Sequence, residues 1–265
     1  MRTLLLALCC LLCGCVTTTE KGAVGVTRSQ FMGFISSEQV VSMANQSYSQ
    51  TKLENQNKGL LDQNPEMVAR VKAIALKLIP TTAEFRKDAP SWAWEVHVIT
   101  SSQLNAYCMP GGKIMFYSGL IEGLHLSDGE IATVMGHEIS HALREHGRER
   151  MSEQMAEQGL VVGLETIGVM DPKYAQIEQM ASSVFYTLPH SRLQESEADE
   201  MGVELMARAG YDPRESLHLW RKMDSAAGGS KPPEFLSTHP ADKRRIQQLE
   251  ILMPKVVPLY EKTRS

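Results

Sequence analysis

The sequence predicts an α+β fold, mainly α-helical, with a small β-sheet next to the helix that carries His137 and His141. Three observations predict it. Strand-type alternation is confined to residues 94–117, where Trp94, Val96 and Val98 alternate with Glu95 and His97. Ahead of that window, Val68, Val71, Ile74, Ala75 and Leu78 recur at helical spacing. Beyond Ser118 the β signal ends and the rest reads helical, with a capping box opening a helix at Ser127.

Each element has a local cause. Ser36 or Ser37 caps a first helix running to about residue 58, and a second spans Pro65 to Ile79 until Pro80 stops it. Leu104–Met109 and Lys113–Tyr117 are two further strands, joined by Pro110-Gly111-Gly112, which supplies hairpin chemistry. Ser127-Asp128-Gly129-Glu130 is a capping box, opening a helix expected to end at Gly147. Another helix runs from Ser191 to Ala209, with Gly210 behind it and Pro213 shortly after. Residues 226–233 read as a flexible Gly/Pro loop, and Pro240 starts a last helix to about Leu252. Residues 147–189 read as helices, a lid or a partner-binding insert; their apolar runs are too short to span a bilayer.

Composition narrows the class. The 265 residues are 43% hydrophobic and 22% charged, ordinary globular usage that excludes a disordered chain, a collagen or a coiled coil. Lys plus Arg is 27 against 31 Asp plus Glu, and no basic cluster stands out, so no nucleic-acid partner is expected.

The N-terminus reads as a targeting segment. Met1-Arg2 precedes a short apolar run, Leu4 to Leu12, which fits the core of a signal peptide. It leads into Leu12-Cys13-Gly14-Cys15, which resembles the processing site of bacterial lipoproteins. That resemblance implies that residues 1–14 are removed and that Cys15 is lipidated, anchoring the protein in a membrane. Val16, where retention signals carry Asp, implies the outer membrane of the cell envelope, facing the periplasm. Cys9, Cys10, Cys13 and Cys15 all lie in this segment, leaving Cys108 without an intrachain disulfide partner. Cys108 reads as a buried thiol rather than a nucleophile. Residues 15–30 read as a solvated tether and residues 31–265 as the functional domain.

The chemistry sits on two helices. His137-Glu138-Ile139-Ser140-His141 puts two imidazoles about 40° apart on one helix face, one turn from each other, where they can share a metal. Glu138 beside them can deprotonate a metal-bound water. The second helix carries five acids. Glu195 and Asp199 share a face with Ala198, Gly202, Val203, Leu205 and Met206, while Glu197, Glu200 and Glu204 share the opposite, solvated face with Arg208. Buried carboxylates need partners and the two histidines need a third ligand, so Glu195 is read as that ligand. Asp199 is read as accepting the outer N–H of a ligating histidine, His137. A buried ion pair with an arginine such as Arg192 is the competing reading. His146 is nine residues past His137, on the far side of the same helix, and reads as a surface or helix-end residue. His97, His125, His190 and His218 have no partner spacing and read as structural or exposed.

His137-Glu-x-x-His141 followed by Glu195-x-x-x-Asp199 resembles the M48 family of zinc metallopeptidases. Asn105-Ala106, Pro110-Gly111-Gly112, Ser118-Gly119-Leu120, Glu197-Ala198-Asp199, Ala209-Gly210-Tyr211-Asp212-Pro213 and Thr238-His239-Pro240 follow the family's blocks in order across residues 104–252. Residues 15–90 and 147–189 match nothing closely. The resemblance implies a zincin-like domain, one Zn²⁺ per chain and a glutamate ligand at Glu195. It implies that Asn105 and Ala106 belong to an edge strand that holds a substrate backbone. It implies that His239 either stabilises the tetrahedral oxyanion or caps the zinc as a fourth ligand, with Arg245 as its charged companion. Read from the residues alone, His239 lies just before a helix N-terminus, after a Gly/Pro loop. The implied function is a zinc endopeptidase acting on polypeptides, in this location unfolded or misassembled envelope proteins, as quality control. The alternative is a zinc-stabilised periplasmic chaperone or assembly factor with latent protease activity, working with an assembly machinery.

Overall fold

The computed structural model describes residues 15–157, 172–227, 234–239 and 243–264. Residues 1–14, 159–163, 228–233 and Pro240 lie outside the described residues.

Two short strands, β1 (Cys15–Val16) and β2 (Gln30–Phe31), pair antiparallel at the start. Helix α1 (Ser37–Asn57) starts from a capping box on Ser36, and α2 (Pro65–Leu78) from Asn64, whose side chain accepts from the Met67 N–H. The chain then passes through two short 3₁₀ turns into β3 (Glu95–Ile99), β4 (Ala106–Met109) and β5 (Lys113–Tyr117). The sheet order is β3-β5-β4, with β3 parallel and β4 antiparallel to β5. Gly111 and Gly112 both take positive φ in the β4–β5 turn, so β4 is an edge of the sheet. Strand β4 begins two residues later than the predicted strand, leaving Asn105 just ahead of it.

Helix α3 (Ser118–Gly123) leads to α4 (Asp128–Leu143), buried along its length from Glu130 onward. Helix α4 packs against α2, β4, α7 (Arg192–Arg208) and α8 (Glu215–Ala227). Between them lie α5 (His146–Glu157) and α6 (Pro172–Tyr186). The chain closes with α9 (Phe235–Thr238) and α10 (Lys243–Lys262). Among the described residues, no helix is long and apolar enough to cross a membrane.

Helix α4 meets α7 backbone to backbone. A Cβ on Gly136 would lie 2.8 Å from the Gly202 carbonyl oxygen, and one on Gly202 would lie 2.7 Å from the His137 nitrogen. Neither distance is tolerable for a real side chain. Two glycines therefore set how closely the His-bearing and Glu-bearing helices approach.

Three expectations about elements are corrected. Helix α4 ends at Leu143 rather than Gly147, because Glu145 takes a left-handed φ of 52°. Its carboxylate is held by Arg86 at 2.6 Å, Arg148 at 3.0 Å and Ser37 at 3.2 Å, which offsets the strain. Helix α10 runs ten residues past Leu252, through Pro254 and Pro258. Buried Leu249, Leu252 and Val256 continue its apolar stripe and outweigh the lost backbone bonds.

The third correction concerns residues 15–30, which are not a solvated tether. Val24 and Val26 are in the main core. The backbone N–H groups of Ala23 and Val24 donate to the Glu204 carboxylate at 2.8 and 2.9 Å. Arg28 Nε donates to Glu197 at 2.8 Å and the same guanidinium pairs with Glu149. Gln30 donates to the Arg144 carbonyl at 2.7 Å. The supposedly solvated face of α7 is covered by this strap, and Glu204 is 0% exposed.

Two outcomes test this packing. Gly202→Ala is expected to cost about 1–3 kcal/mol in a denaturant titration, the usual price of overpacking; an unmoved midpoint would contradict the backbone contact. Deleting residues 17–29 leaves Glu197 and Glu204 with partners missing, at about 3–5 kcal/mol for a broken buried pair. The thermal midpoint should fall by about 6 °C or more. A melt that does not shift would return this segment to the status of a tether.

Candidate active site

Four side chains converge where α4 crosses α7. His137 Nε2 lies 3.1 Å from His141 Nε2 and 3.2 Å from His239 Nδ1. Glu195 Oε1 lies 3.0 Å from His239 Nδ1 and 3.4 Å from His141 Nε2. One ligand atom from each of these four residues lies within 4.8 Å of the others, and all four are buried. His137 and His141 face the same way because they are one turn apart on α4. Glu195 reaches them from the first turn of α7, which the Ser191 capping box fixes. His239 ends α9 with its backbone N–H bonded to the Phe235 carbonyl and its ring stacked 4.3 Å from Phe235.

An outer ring of hydrogen bonds sets the tautomers. Asp199 Oδ1 faces His137 Nδ1 at 3.0 Å. Burial works against ionising Asp199, but Arg245 and His137 outweigh it and hold its pKa down. Asp199 is then a pure acceptor, so the proton of this contact sits on His137 Nδ1, and Nε2 is the nitrogen turned toward His141 and His239. His141 follows the same logic through His146. Glu197 accepts from His146 Nε2 at 3.0 Å; burial opposes its ionisation, but His146, Arg28 and Arg144 outweigh burial and lower its pKa to about 2. Burial lowers the His146 pKa and keeps the ring neutral, so its Nδ1 accepts from His141 Nδ1–H at 2.8 Å. His141 Nε2 therefore presents a lone pair, and burial holds the His141 pKa well down.

Two imidazole nitrogens thus face each other at 3.1 Å beside a carboxylate. Burial tends to raise the Glu195 pKa, but His239, Arg245 and His137 hold it well below the usual range. Within the protein, His239 answers these groups: burial works against charging it, but Glu138 and Glu195 raise its pKa, and its Nδ1 lies 3.0 Å from Glu195 and 3.2 Å from His137 Nε2. The donor set fits a divalent metal of imidazole and carboxylate preference.

Glu138 faces a cleft on the open side of this group. Its Oε1 is buried with no hydrogen-bond partner among the described residues and lies 3.3 Å from His239 Nε2. Burial pushes its pKa up, countered in part by His239, His137 and the Cys108 backbone N–H. Asn105, Ala106 and Tyr107 line the same cleft. The Asn105 side chain accepts from the Ala106 N–H at 2.9 Å, and the Asn105 carbonyl accepts from Tyr117 N–H, fixing the start of edge strand β4.

Comparison with known proteins agrees with this geometry. The family model for peptidase family M48 matches residues 65–252. The chain belongs to peptidase family M48. Its enzymatic class is that of the metalloendopeptidases. It is 30% identical over 249 residues to the mitochondrial metalloendopeptidase OMA1 of Saccharomyces cerevisiae, covering 89% of this chain and 70% of that protein. It is 29% identical over 223 residues to the human mitochondrial metalloendopeptidase OMA1, covering 79% of this chain and 41% of that protein. It is 28% identical over 158 residues to the beta-barrel assembly-enhancing protease of Yersinia pestis, covering 57% of this chain and 32% of that protein.

The structure brings His137, Glu138, His141, Glu195, Asp199 and His239 together, and sets Asn105 and Ala106 along the cleft. Arg245 reaches the site from behind its carboxylates and acts on His239 by charge. Its guanidinium bonds both Asp199 oxygens at 2.6 and 2.8 Å, pairs with Glu195 at 2.7 Å and lies 3.6 Å over Trp220. It is absent from the cleft lining and acts on the carboxylates. The proposed competitor Arg192 is exposed, so the buried arginine paired with Asp199 comes from α10 instead. Glu197 and Glu204 are buried rather than solvated, and His146 is fully buried rather than on the surface. His190 lies in the cleft, its ring 3.8 Å from that of His141, and its backbone N–H donates to the Thr238 carbonyl. Its position directly before the Ser191 cap was the signal available for it.

Asp199→Asn replaces an obligate acceptor by an amide that can also donate, and His146→Phe removes an acceptor, so each releases one tautomer. Each is expected to weaken metal binding about 10–100-fold in a chelator competition, with the helical circular dichroism kept. Unchanged affinity in either variant would detach that residue from the metal group.

Proposed function

We propose that this M48 peptidase is a zinc endopeptidase of the bacterial cell envelope. In this reading it is anchored by lipid at Cys15, in the outer membrane facing the periplasm, and it hydrolyses unfolded or misassembled envelope proteins as quality control. The observation that carries the catalytic part is Glu138: a buried carboxylate with a partnerless oxygen, next to four converging metal-type ligands and on the cleft side. A dormant structural site has no use for it. The location rests on the Leu12-Cys13-Gly14-Cys15 sequence and Val16. The likeness to a beta-barrel assembly-enhancing protease supports an envelope role linked to assembly.

His137, His141 and Glu195 would hold the metal. When bound, zinc supplies a Lewis acid that acidifies water and polarises a carbonyl. The protein does the rest. Strand β4, with Asn105 and Ala106 at its start, lines up the substrate backbone as an added strand. Glu138 takes a proton from the attacking water and returns it to the leaving amine nitrogen. Its burial raises its proton affinity toward the value that two-way transfer needs. His239, between Glu138 and Glu195, offers a charge to the developing oxyanion once it moves off the ligand group.

A second reading has its own observation. His239 Nδ1 is itself one of the four clustered ligand atoms, so four protein ligands can close the site. That arrangement favours a zinc-stabilised chaperone or assembly factor whose protease is latent.

The test uses the chain from residue 16 loaded with zinc, and an unfolded protein as substrate. Wild type is expected to cleave it, and Glu138→Gln at equal zinc content to lose about 10²–10⁴-fold in rate. Silence of both with cleavage restored by His239→Ala supports latency. Silence of all three at full occupancy removes the protease reading. The envelope placement is tested separately: Cys15→Ser should move the protein from the outer-membrane fraction to the soluble periplasm.

A further inference from the structure

The catalytic cleft holds two more buried nitrogens without a hydrogen-bond partner among the described residues, Arg150 Nε and His190 Nδ1. Neither has a role in the mechanism above. Both side chains line the cleft that Glu138 faces. Arg150 projects from α5. Its Nη1 donates to the Leu188 carbonyl and its Nη2 to the Val184 carbonyl, each at 2.6 Å, at the C-terminal end of α6. These two bonds fix the guanidinium plane on one wall and leave the Nε edge unanswered.

Other arginines in and around this core are paired with carboxylates. Arg28 pairs with Glu149 and Glu197, Arg86 and Arg148 with Glu145, Arg144 with Glu197, and Arg245 with Asp199 and Glu195. Among the described residues Arg150 forms no ion pair. Burial is the main force on its pKa, pushed down to about 10, so it remains a cation at neutral pH. Its Nη groups meet only carbonyl oxygens, and Glu195, Glu153, Glu138 and Glu149 act on it at longer range than an ion pair, so the Nε edge of a largely buried cation still lacks a bonded anion. His190 stands within the electrostatic reach of Arg150 and offers a second unpaired ring nitrogen. The surrounding wall is apolar, with Tyr107, Val184 and Phe185. An apolar recess with a planar guanidinium and a neighbouring imidazole is suited to a carboxylate.

We propose that Arg150, with His190 beside it, forms a carboxylate-binding subsite of the cleft. The peptidase then selects polypeptides that place an Asp or Glu side chain, or a free C-terminal carboxylate, close to the scissile bond. This rests on the endopeptidase reading above and gives it a substrate class.

The experiment is a peptide series cleaved by the zinc-loaded protein. One parent sequence carries Glu, Gln or Lys at each of the three positions on either side of the scissile bond. A second set ends, at the same distances, in a free carboxylate or an amide. Wild type is expected to prefer Glu over Gln at one position, or the free acid over the amide, by about tenfold or more in kcat/KM. The first result assigns the subsite to a side chain and the second to a chain end. Arg150→Gln should collapse that ratio to about one, and Arg150→Glu should invert it in favour of Lys. Equal cleavage of every Glu/Gln and acid/amide pair by wild type overturns the subsite while leaving the peptidase intact. A ratio that survives in Arg150→Gln, with a uniform loss of rate, overturns it too, since Arg150 would then serve structure or the oxyanion. The wild-type comparison needs no variant, so a misfolded Arg150→Gln does not rescue the proposal. Failure of wild type to cleave any peptide or the unfolded protein overturns the endopeptidase reading and the subsite with it.

Discussion

The backbone contact between Gly136 and Gly202 is the constraint on which the rest of the site depends. A metal group built from two helices needs their axes close, because imidazole and carboxylate side chains are short. An added Cβ at either glycine would stand within 2.8 Å of the other helix's backbone. The ligands flank this contact. His137 directly follows Gly136, and Asp199 and Glu195 lie one and two turns before Gly202. The spacing along each helix decides which residues face the crossing, and the glycines decide that they meet. The remaining elements serve this pair: α2, α8 and β4 bury α4, and α10 covers α7 and brings in Arg245.

Once these groups are buried, their charges must be answered, and the structure does so in layers. Each helical histidine ligand is backed by an acceptor, and each acceptor chain ends on an arginine. His137 leads to Asp199 and Arg245; His141 leads to His146, Glu197, and the pair Arg144 and Arg28. Arg28 belongs to the N-terminal strap, so the strap closes the outermost layer of the metal group. The segment between the lipidation-type cysteine and the domain is therefore part of the site's electrostatics. A charge network of this kind contributes little net stability, since desolvation cancels most of the attraction, but it fixes protons and ring orientations.

Much of this was legible in the sequence, and what was not has a single physical origin. Helical spacing and capping residues located α1, α2, α4 and α7 to within a few residues, and the wheel argument put Glu195 and Asp199 on the inward face. The same argument failed for Glu197 and Glu204 because it treats every face opposite the core as water. Here another part of the chain, distant in sequence, occupies that face, and no local pattern reports it. His146 was missed for a related reason. Counting nine residues from His137 assumes an unbroken helix, but the left-handed turn at Glu145 redirects the chain and returns His146 to His141. That turn is held by Arg86, Arg148 and Ser37, again non-local partners. Positions governed by periodicity were readable; positions governed by long-range charge pairing were not.

The tautomer chains also bear on how metal and fold are coupled. Asp199 and Glu197 hold the outer ring nitrogens protonated, so the inner nitrogens face one another at 3.1 Å. Among the described residues this close approach is answered by His239, whose Nδ1 lies 3.2 Å from His137 Nε2 and 3.0 Å from Glu195. A bound cation would answer it as well, and whatever binds the folded form alone stabilises that form by mass action. A metal held by His137, His141 and Glu195 would then be a structural partner of the α4–α7 crossing. His239 belongs to a different category. It directly follows the four-residue helix α9, held by one backbone bond and a stacked Phe235, and its ring nitrogens face Glu195 at 3.0 Å and Glu138 at 3.3 Å. Among the described residues its partners are carboxylates of the site itself, whereas His137 and His141 are each backed by a chain that ends on an arginine. Two of the four ligand-type residues are thus oriented from outside the site, and His239 is oriented from within it, by the carboxylates it stands between.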